Sequence, residues 1–519
     1  MLDLEQKKTP LSGKMIRNVA FGGLRAVLVA PVPFILTPLI LRTIGSRGYG
    51  TWAVFVAMNS LTSLADLGLL GTLSKYVAEY NAQGDFARLN RLLNTGVAVF
   101  GLLASLMAGT LWVLSSRVVQ LLFRGSAQSP VELLWLFRCS LILLWINIVT
   151  FSSASVTSGM QRLDLTNMLA AFNVVCAAIL GGTFLLMGWG VRGLLYGSIL
   201  SAGITLACYS WLIKKLVPEF KLNPFYADRI EAQKIFSFSW RVYLVQAAGA
   251  IQNHLEKVLL ALFVGVIPVG WYDIASDTAS KIRGVPALLL SPILPAASEL
   301  DAQDRRSKLE ELYFRSHKYL AFCAVPLVFY GVVISKRFVD LWVGPGLDAV
   351  AIPLSALLIV NLINLTTGPG LMILMGQGQL WQGVYAAMTG IGVGTPLSIL
   401  LIYRYGFHGA VVGAALSSFI SSVLFFYFYH RTTHESAIRL LKEAYSGPIL
   451  CAAGLLILEF LIRPASDLSW YGMITQALIF AVLYLLILLP LKFFDSYDWD
   501  RVQMVLPVMR YARKITRDV

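Results

Sequence analysis

Charge is scarce in this chain. Only 13% of its 519 residues are Asp, Glu, Lys or Arg, about half of the roughly 25% found in soluble domains. Too few solvating groups remain to cover a water-exposed surface, which excludes an ordinary soluble globular protein. Cysteine is scarce too. Cys139, Cys176, Cys208, Cys323 and Cys451 all fall inside apolar runs, so they read as small buried hydrophobes rather than a disulfide framework or thiolate ligands. Of the five histidines, His430 and His434 stand four apart in "HRTTH", but the Glu of the zinc-protease motif is missing. No metal and no cofactor are expected. The longest predicted outer loop, residues 117–130, holds no carboxylate, and no polar loop on either side pairs two carboxylates as a glycan-cleaving or glycan-joining site would. An enzyme is therefore not expected. The polar residues 1–17 lead into an apolar run too long for a signal-peptide core and without a small-residue cleavage site, so that run is expected to stay as a span.

Apolar residues are abundant, at 57%. Runs of roughly 18–25 residues follow one another from Val19 to Leu491, each long enough to cross a hydrocarbon core of about 30 Å as a helix. The expected fold is an all-α polytopic membrane protein with about 14 transmembrane helices. The formal charge of +14 is a matter of topology rather than of nucleic-acid binding. With the N-terminus inside, 28 of the 42 Lys/Arg fall in cytoplasmic segments, 9 in outer loops and 5 within spans. Basic residues retained on one side orient a membrane protein, so both termini are expected to be cytoplasmic.

The chain also repeats itself. "AEYNAQGD" at 78–85 returns as "SELDAQDR" at 298–305, with Glu79, Ala82 and Gln83 matching Glu299, Ala302 and Gln303. Gly45 and Gly50 match Gly265 and Gly270 at the same offset. Gly190, Gly193, Gly197 and Ser201 of "GVRGLLYGSILS" match Gly406, Gly409, Gly413 and Ser417 of "GFHGAVVGAALS" at nearly that offset. Two such matches indicate a duplication. Six spans per copy keep both copies in one orientation, giving two parallel six-helix repeats plus a C-terminal helix pair. Transporters use such repeats for alternating access around a site at their interface. The expected organisation is a tail at 1–17, a first bundle at 18–213, a cytoplasmic linker at 214–241, a second bundle at 242–430, two extra helices at 447–491 and a basic tail at 492–519. The two polar echoes are equivalent cytoplasmic loops, read either as capped helix ends or as parts of an inner gate.

"LRTIGSRGYGTW", "LADLGLLGTLSKYVAEYNAQGD" and "YRYGFHGAVVGAALSS" resemble the polysaccharide-transport branch of the multidrug/oligosaccharidyl-lipid/polysaccharide exporter superfamily, the Wzx-type flippases. The resemblance runs over nearly the whole chain and is strongest at 40–92. It implies a cavity between two six-helix bundles and an undecaprenyl-pyrophosphate-linked oligosaccharide as cargo, such as an O-antigen, capsule, exopolysaccharide or teichoic-type unit. That cargo would move from the inner to the outer leaflet of the cytoplasmic membrane. It further implies membrane lipids as partners, with a polysaccharide polymerase and other assembly proteins downstream. The extra helix pair resembles that of lipid II flippases, where it offers a groove to the lipid tail.

Charges inside spans cost about 2.5–3.5 kcal/mol on insertion scales and usually pair or face a cavity. Arg25 and Asp66 are expected at similar depth, roughly 13–15 Å from the inner side. They form either a structural pair or a phosphate-binding arginine with a competing partner. In the second half, "NHLEKVLL" carries His254, Glu256 and Lys257, and "DIASDTASKIRG" carries Asp273, Asp277 and Lys281 on one helical face. Lys257, Lys281 and Arg138 are expected at one level, where three cations would exceed the pairing capacity of Glu256 and Asp277. That is a plausible pyrophosphate site, with Arg283 as a second cationic step. The alternative is that Asp277–Lys281 satisfies itself as an i,i+4 pair and Glu256–Lys257 splits its charges between neighbours. In the family pattern an acidic–basic pair sits mid-span seven, which Glu256–Lys257 matches. Asp66, Glu256 and Asp277 are the candidates for ion coupling, and His254 is the weaker gating candidate. A proton- or sodium-coupled multidrug antiporter of the same superfamily is the rival reading. It would favour an acidic cavity, against which Arg25, Arg138, Lys257 and Lys281 argue. A carrier of the major facilitator type lacks support, because the loop after span two has no Gly–Asp–Arg basic motif.

Overall fold

The structure is a computed structural model that describes residues 21–60, 69–218, 220–221, 223, 226–234, 254–379, 381–433, 435–462, 469–491 and 493–498. Among them every regular element is helical. A helix satisfies its own backbone N–H and C=O groups, which a chain this apolar needs where no water reaches it. In chain order, helical residues 21–29 lead into α1 (Pro31–Ser60), followed by α2 (Leu69–Gln83), α3 (Phe86–Val113), α4 (Ser115–Leu122), α5 (Pro130–Gly159), α6 (Leu163–Phe184) and α7 (Gly190–Leu216). After helical residues 254–263 come α8 (Val266–Ala287), α9 (Ile293–Ala302), α10 (Arg306–Trp342), α11 (Asp348–Thr366), α12 (Gly368–Gly376), α13 (Trp381–Thr433), α14 (Ser446–Ile462) and α15 (Trp470–Leu488).

Nine helical stretches among the described residues are long and apolar enough to cross a membrane, and the protein is an all-helical, multi-pass membrane protein. Three stretches are about twice the ~20 residues a crossing needs: Phe21–Ser60, Leu163–Leu216 and Trp381–Thr433. Each is broken at glycine, at Gly45 (φ 68°), at Gly188 and Gly190 (φ 87° and 56°) and at Gly406 (φ 56°). Gly190 and Gly406, matched by the sequence echo, share nearly one backbone conformation, with ψ of −138° and −126°.

The polar echoes also match in backbone. α2 ends with Gly84 at φ 70°, where the Gly84 amide donates to Asn81 O and the Asp85 amide to Tyr80 O. α9 ends with Asp304 at φ 48°, where the Asp304 amide donates to Asp301 O and the Arg305 amide to Leu300 O. Both turns satisfy two end carbonyls through a left-handed residue, the Schellman pattern.

The chain forms two compact units. The first gathers Met1–Asp277, Trp342–Gly344 and Ala387–Ser417. Within it α6 and α7 approach so closely that a Cβ on Gly197 would stand 2.3 Å from the Gly181 nitrogen. The Ser201 hydroxyl donates to the Asn173 carbonyl at 2.8 Å across the same contact. The linker is strapped onto this unit. Asn94 donates to Lys221 O at 2.9 Å and accepts from the Asn223 amide at 2.8 Å. Asn90 accepts from the Lys221 amide and Thr95 from the Asp228 amide. Short polar side chains thus take the place of a backbone partner for residues 221, 223 and 228, which lie ahead of the short helical stretch 229–234. Tyr80 then donates to the buried Glu231 at 3.0 Å, and Lys234 closes the triad at 2.9 Å from Glu231 and 3.1 Å from the Tyr80 hydroxyl. The hydrogen bonds to Glu231 and Tyr80 push the Lys234 ammonium pKa upward.

The second unit gathers Thr278–Leu341, Pro345–Ala386 and Ser418–Val519. Its core joins Tyr313 and Val325 of α10, Phe425 and Tyr429 of α13, Cys451 and Leu455 of α14, and Phe480, Tyr484 and Leu488 of α15. The three α15 residues, four apart, are the whole buried stripe of that helix. Its remaining leucines and isoleucines face outward, as a helix against lipid requires. Residues 493–498 are pinned to α10. Asp498 accepts from Lys318 at 2.5 Å, from Arg315 at 3.3 Å and from the Tyr319 hydroxyl, while Asp495 and Asp498 cap each other's amides.

Candidate functional site

The best-defined charge cluster lies beside the turn at Gly265. That turn reverses the chain between helical residues 254–263 and α8 through a φ of 124°. Lys257 stands eight residues before it and Asp273 eight after, so the two sides of the hairpin bring them face to face. The Lys257 ammonium donates to Asp273 Oδ1 at 2.6 Å, with both residues buried. The Tyr49 hydroxyl of α1 donates to the other oxygen, Oδ2, at 2.9 Å. A buried carboxylate and ammonium are tolerated only when paired and hydrogen-bonded, and removing one partner of such a pair costs about 3–5 kcal/mol.

Glycine brings α1 this close. A Cβ on Gly50 would fall 2.1 Å from Val266 O, and one on Gly270 would fall 3.0 Å from the Gly50 Cα. The Val266 amide donates to Arg124 O at 3.1 Å, so the loop after α4 is tied to the same spot. All of these residues belong to the first compact unit.

Around this cluster Glu256 is buried, and His254 is half-buried with an Nδ1 that finds no hydrogen-bond partner among the described residues. Further along α8, Asp277 is exposed, and Lys281 and Arg283 are half-buried. Because α8 begins at Val266 and not near 273, Lys281 lies fifteen residues from its start, about 22 Å along the axis. It does not stand level with Lys257. Arg138 takes a different setting. Its Nε donates to Ser115 Oγ at 3.3 Å, and its guanidinium lies 4.8 Å from the Trp112 ring centroid. Arg25 is exposed and donates to Asn167 Oδ1 at 3.3 Å. It lines an apolar hollow of about 270 Å³ with Phe21, Leu24, Leu28, Met168 and Phe172. Asp66, its expected partner, lies outside the described residues, as does His434. Among the described residues no group of three or more His, Cys, Asp or Glu could hold a metal ion.

The structure thus joins Lys257 to Asp273 and Tyr49, neither of which the sequence reading placed among the site residues. The sequence puts Asp273 on one face with Asp277 and Lys281, and leaves Lys257 either as a phosphate-binding cation or as half of an adjacent Glu256–Lys257 pair whose charges go to different neighbours. The signal that would have found the pair is their equal spacing about the Gly265 turn. Nothing in the sequence pointed to Tyr49.

The family described as "Polysaccharide biosynthesis protein" matches residues 15–301. The chain is similar to the Haloferax volcanii protein named "Probable low-salt glycan biosynthesis flippase Agl15", 23% identical over 403 residues that cover 76% of this chain and 79% of that one. Its fold is similar to a solved structure of the lipid II flippase MurJ in an inward closed conformation, with a TM-score of 0.70 and 15% identity over 92% of this chain and 97% of that one. It is also similar to an inward-facing multidrug resistance transporter of the MATE family, with a TM-score of 0.63 and 14% identity over 79% and 98%.

Proposed function

The chain belongs to the polysaccharide biosynthesis protein family, and we propose that it is a flippase for a lipid-linked oligosaccharide. It is a transporter rather than an enzyme. The cargo of this reading is an undecaprenyl-pyrophosphate-linked unit, of O-antigen, capsule, exopolysaccharide or teichoic type, carried from the inner to the outer leaflet by alternating access. The glycan flippase of Haloferax volcanii supports the substrate class.

The observation that carries the reading is Arg25. An exposed guanidinium in an apolar hollow, with an amide oxygen as its hydrogen-bond partner, is costly in a membrane unless an anion or water meets it. A phosphate on an apolar chain offers both halves of that environment, by charge-assisted hydrogen bonding at the head and by contact along the tail. Lys257, Lys281, Arg283 and Arg138 are the further cations of this reading, and Glu256, Asp277, Asp66 and His254 its coupling or gating groups.

The same proposal includes fourteen spans, in two parallel repeats at 18–213 and 242–430 with a helix pair at 447–491, and both termini on the cytoplasmic side. The pairing of left-handed positions supports the duplication: Gly45 with Gly265, Gly84 with Asp304, Gln161 with Gly378 and Gly190 with Gly406. The excess of basic residues on one side supports the orientation.

The test is transport in proteoliposomes loaded with undecaprenyl-pyrophosphate-linked glycan, scored as glycan accessible on the far leaflet. Arg25→Ala is expected to cut the rate about tenfold or more, the scale of one hydrogen bond to a charged group, with insertion unchanged. Failure to move the lipid, together with proton-coupled export of a cationic dye, would assign the antiporter activity instead.

A further inference from the structure

The Gly265 hairpin holds its charge pair internally. Lys257 and Asp273 lie on its two arms and move as one piece. What ties the hairpin to α1 is different in kind: the Tyr49 hydroxyl on Asp273 Oδ2 and a seam of bare backbone where Gly50 meets Val266 and Gly270. The close contacts there are the Gly50 backbone against the Val266 and Gly270 backbone, with the Tyr49 ring edge lying on Gly270. Such a surface can part and rejoin with little side-chain rearrangement, and the Tyr49–Asp273 hydrogen bond is the directional contact that sets how long it stays joined.

We propose that Tyr49 and Asp273 form the latch that holds the outer end of this transporter shut, with Lys257 as the positioning residue that aims the Asp273 carboxylate. The inference rests on the flippase reading for its direction, since alternating access requires the two repeats to part at this end. The carboxylate serves both tasks at once. Oδ1 faces Lys257 and Oδ2 faces Tyr49, so removing the Tyr49 hydroxyl leaves the ion pair intact and frees only the bond across the seam. The tie is to the carboxylate itself, so its loss is expected to shift the closed-to-open ratio about tenfold.

The experiment uses the full-length chain in proteoliposomes with the five cysteines replaced by serine and Ala53→Cys as reporter. Ala53 follows Gly50 on α1 and is fully buried. A membrane-impermeant maleimide added outside reads opening as a labelling rate, with no cargo present. Tyr49→Phe is expected to raise that rate about tenfold. Gly50→Ala, whose added methyl meets Val266 O, is expected to raise it as well. A rise with Gly50→Ala but not with Tyr49→Phe would leave the seam as the closure and overturn the latch. No rise with either would show that this seam does not close the outer end, and would overturn it too. Because labelling needs no lipid substrate, loss of glycan transport with the latch response intact would count against the flippase reading alone.

Discussion

The two polar echoes, residues 78–85 and 298–305, have nearly the same backbone and different work. Each ends a helix through a left-handed residue with the same pair of amide-to-carbonyl bonds. In the first, Tyr80 reaches Glu231 and Lys234 and fastens the linker. In the second, Leu300 stands at the matching place and packs against the apolar core of its own unit, while Asp301 takes a hydrogen bond from Gln377 at 3.0 Å. The turns are alike in backbone, and the side chains they carry differ. Shared backbone is therefore a poor guide to role here.

Tyr80→Phe should separate the two loops most. It strips a hydroxyl from the buried Glu231 and is expected to cost about 1.5–3 kcal/mol, the worth of a hydrogen bond to a charged group. Hydrogen exchange should show faster opening of residues 226–234, whereas Leu300→Met should leave the second loop unchanged within error. If both loops opened alike, the claimed difference would collapse. Asp85→Ala comes next. Asp85 caps α3 by accepting from the Arg88 amide at 2.9 Å, and its loss should cost about 1 kcal/mol in thermal unfolding. Arg305 occupies the matching position, so Arg305→Ala should cost much less. The left-handed positions give effects of opposite sign. Gly84→Ala is expected to destabilise by about 1 kcal/mol and Asp304→Gly to stabilise by a few tenths, because only glycine holds that conformation without strain. The smallest effect is a null one. A raised lysine pKa contributes stability that is complete below the unfolded value of about 10.4 and is lost only as pH rises through the folded value. The Lys234 contribution to the strap should therefore not change between about pH 6 and pH 9, read by the same exchange measurement.

Much of the fold was legible because membrane crossing leaves a strong signature. Long apolar runs and the glycine echoes both speak from local sequence. The glycine breaks at Gly45, Gly190 and Gly406 fall where the echoes place turns. The candidate site is less legible. Arg25 and Lys257 stand out because any charge inside an apolar run is conspicuous. Their partners do not, since pairing depends on which helix faces which. Sequence proximity favoured Glu256 and Asp277, whereas the turn geometry delivered Asp273. Tyr49 carries no charge and sits among other polar and small residues, so only its packing across Gly50 reveals it. Lys281 was set at the wrong depth because the helix starts seven residues earlier than its apolar run suggested.

Gly50 and Gly270 carry a further consequence. They stand 220 residues apart, the offset of the polar echoes, and each would crowd the other's neighbourhood if it gained a methyl group. On the proposed duplication, a half-length ancestor acting as a symmetric pair would have had one residue here, meeting itself across the two-fold axis. Tyr80 and Leu300, another pair of matching positions, differ freely because they meet different neighbours. Gly50 and Gly270 are not free in that way, because a side chain on either one fills the space that both share.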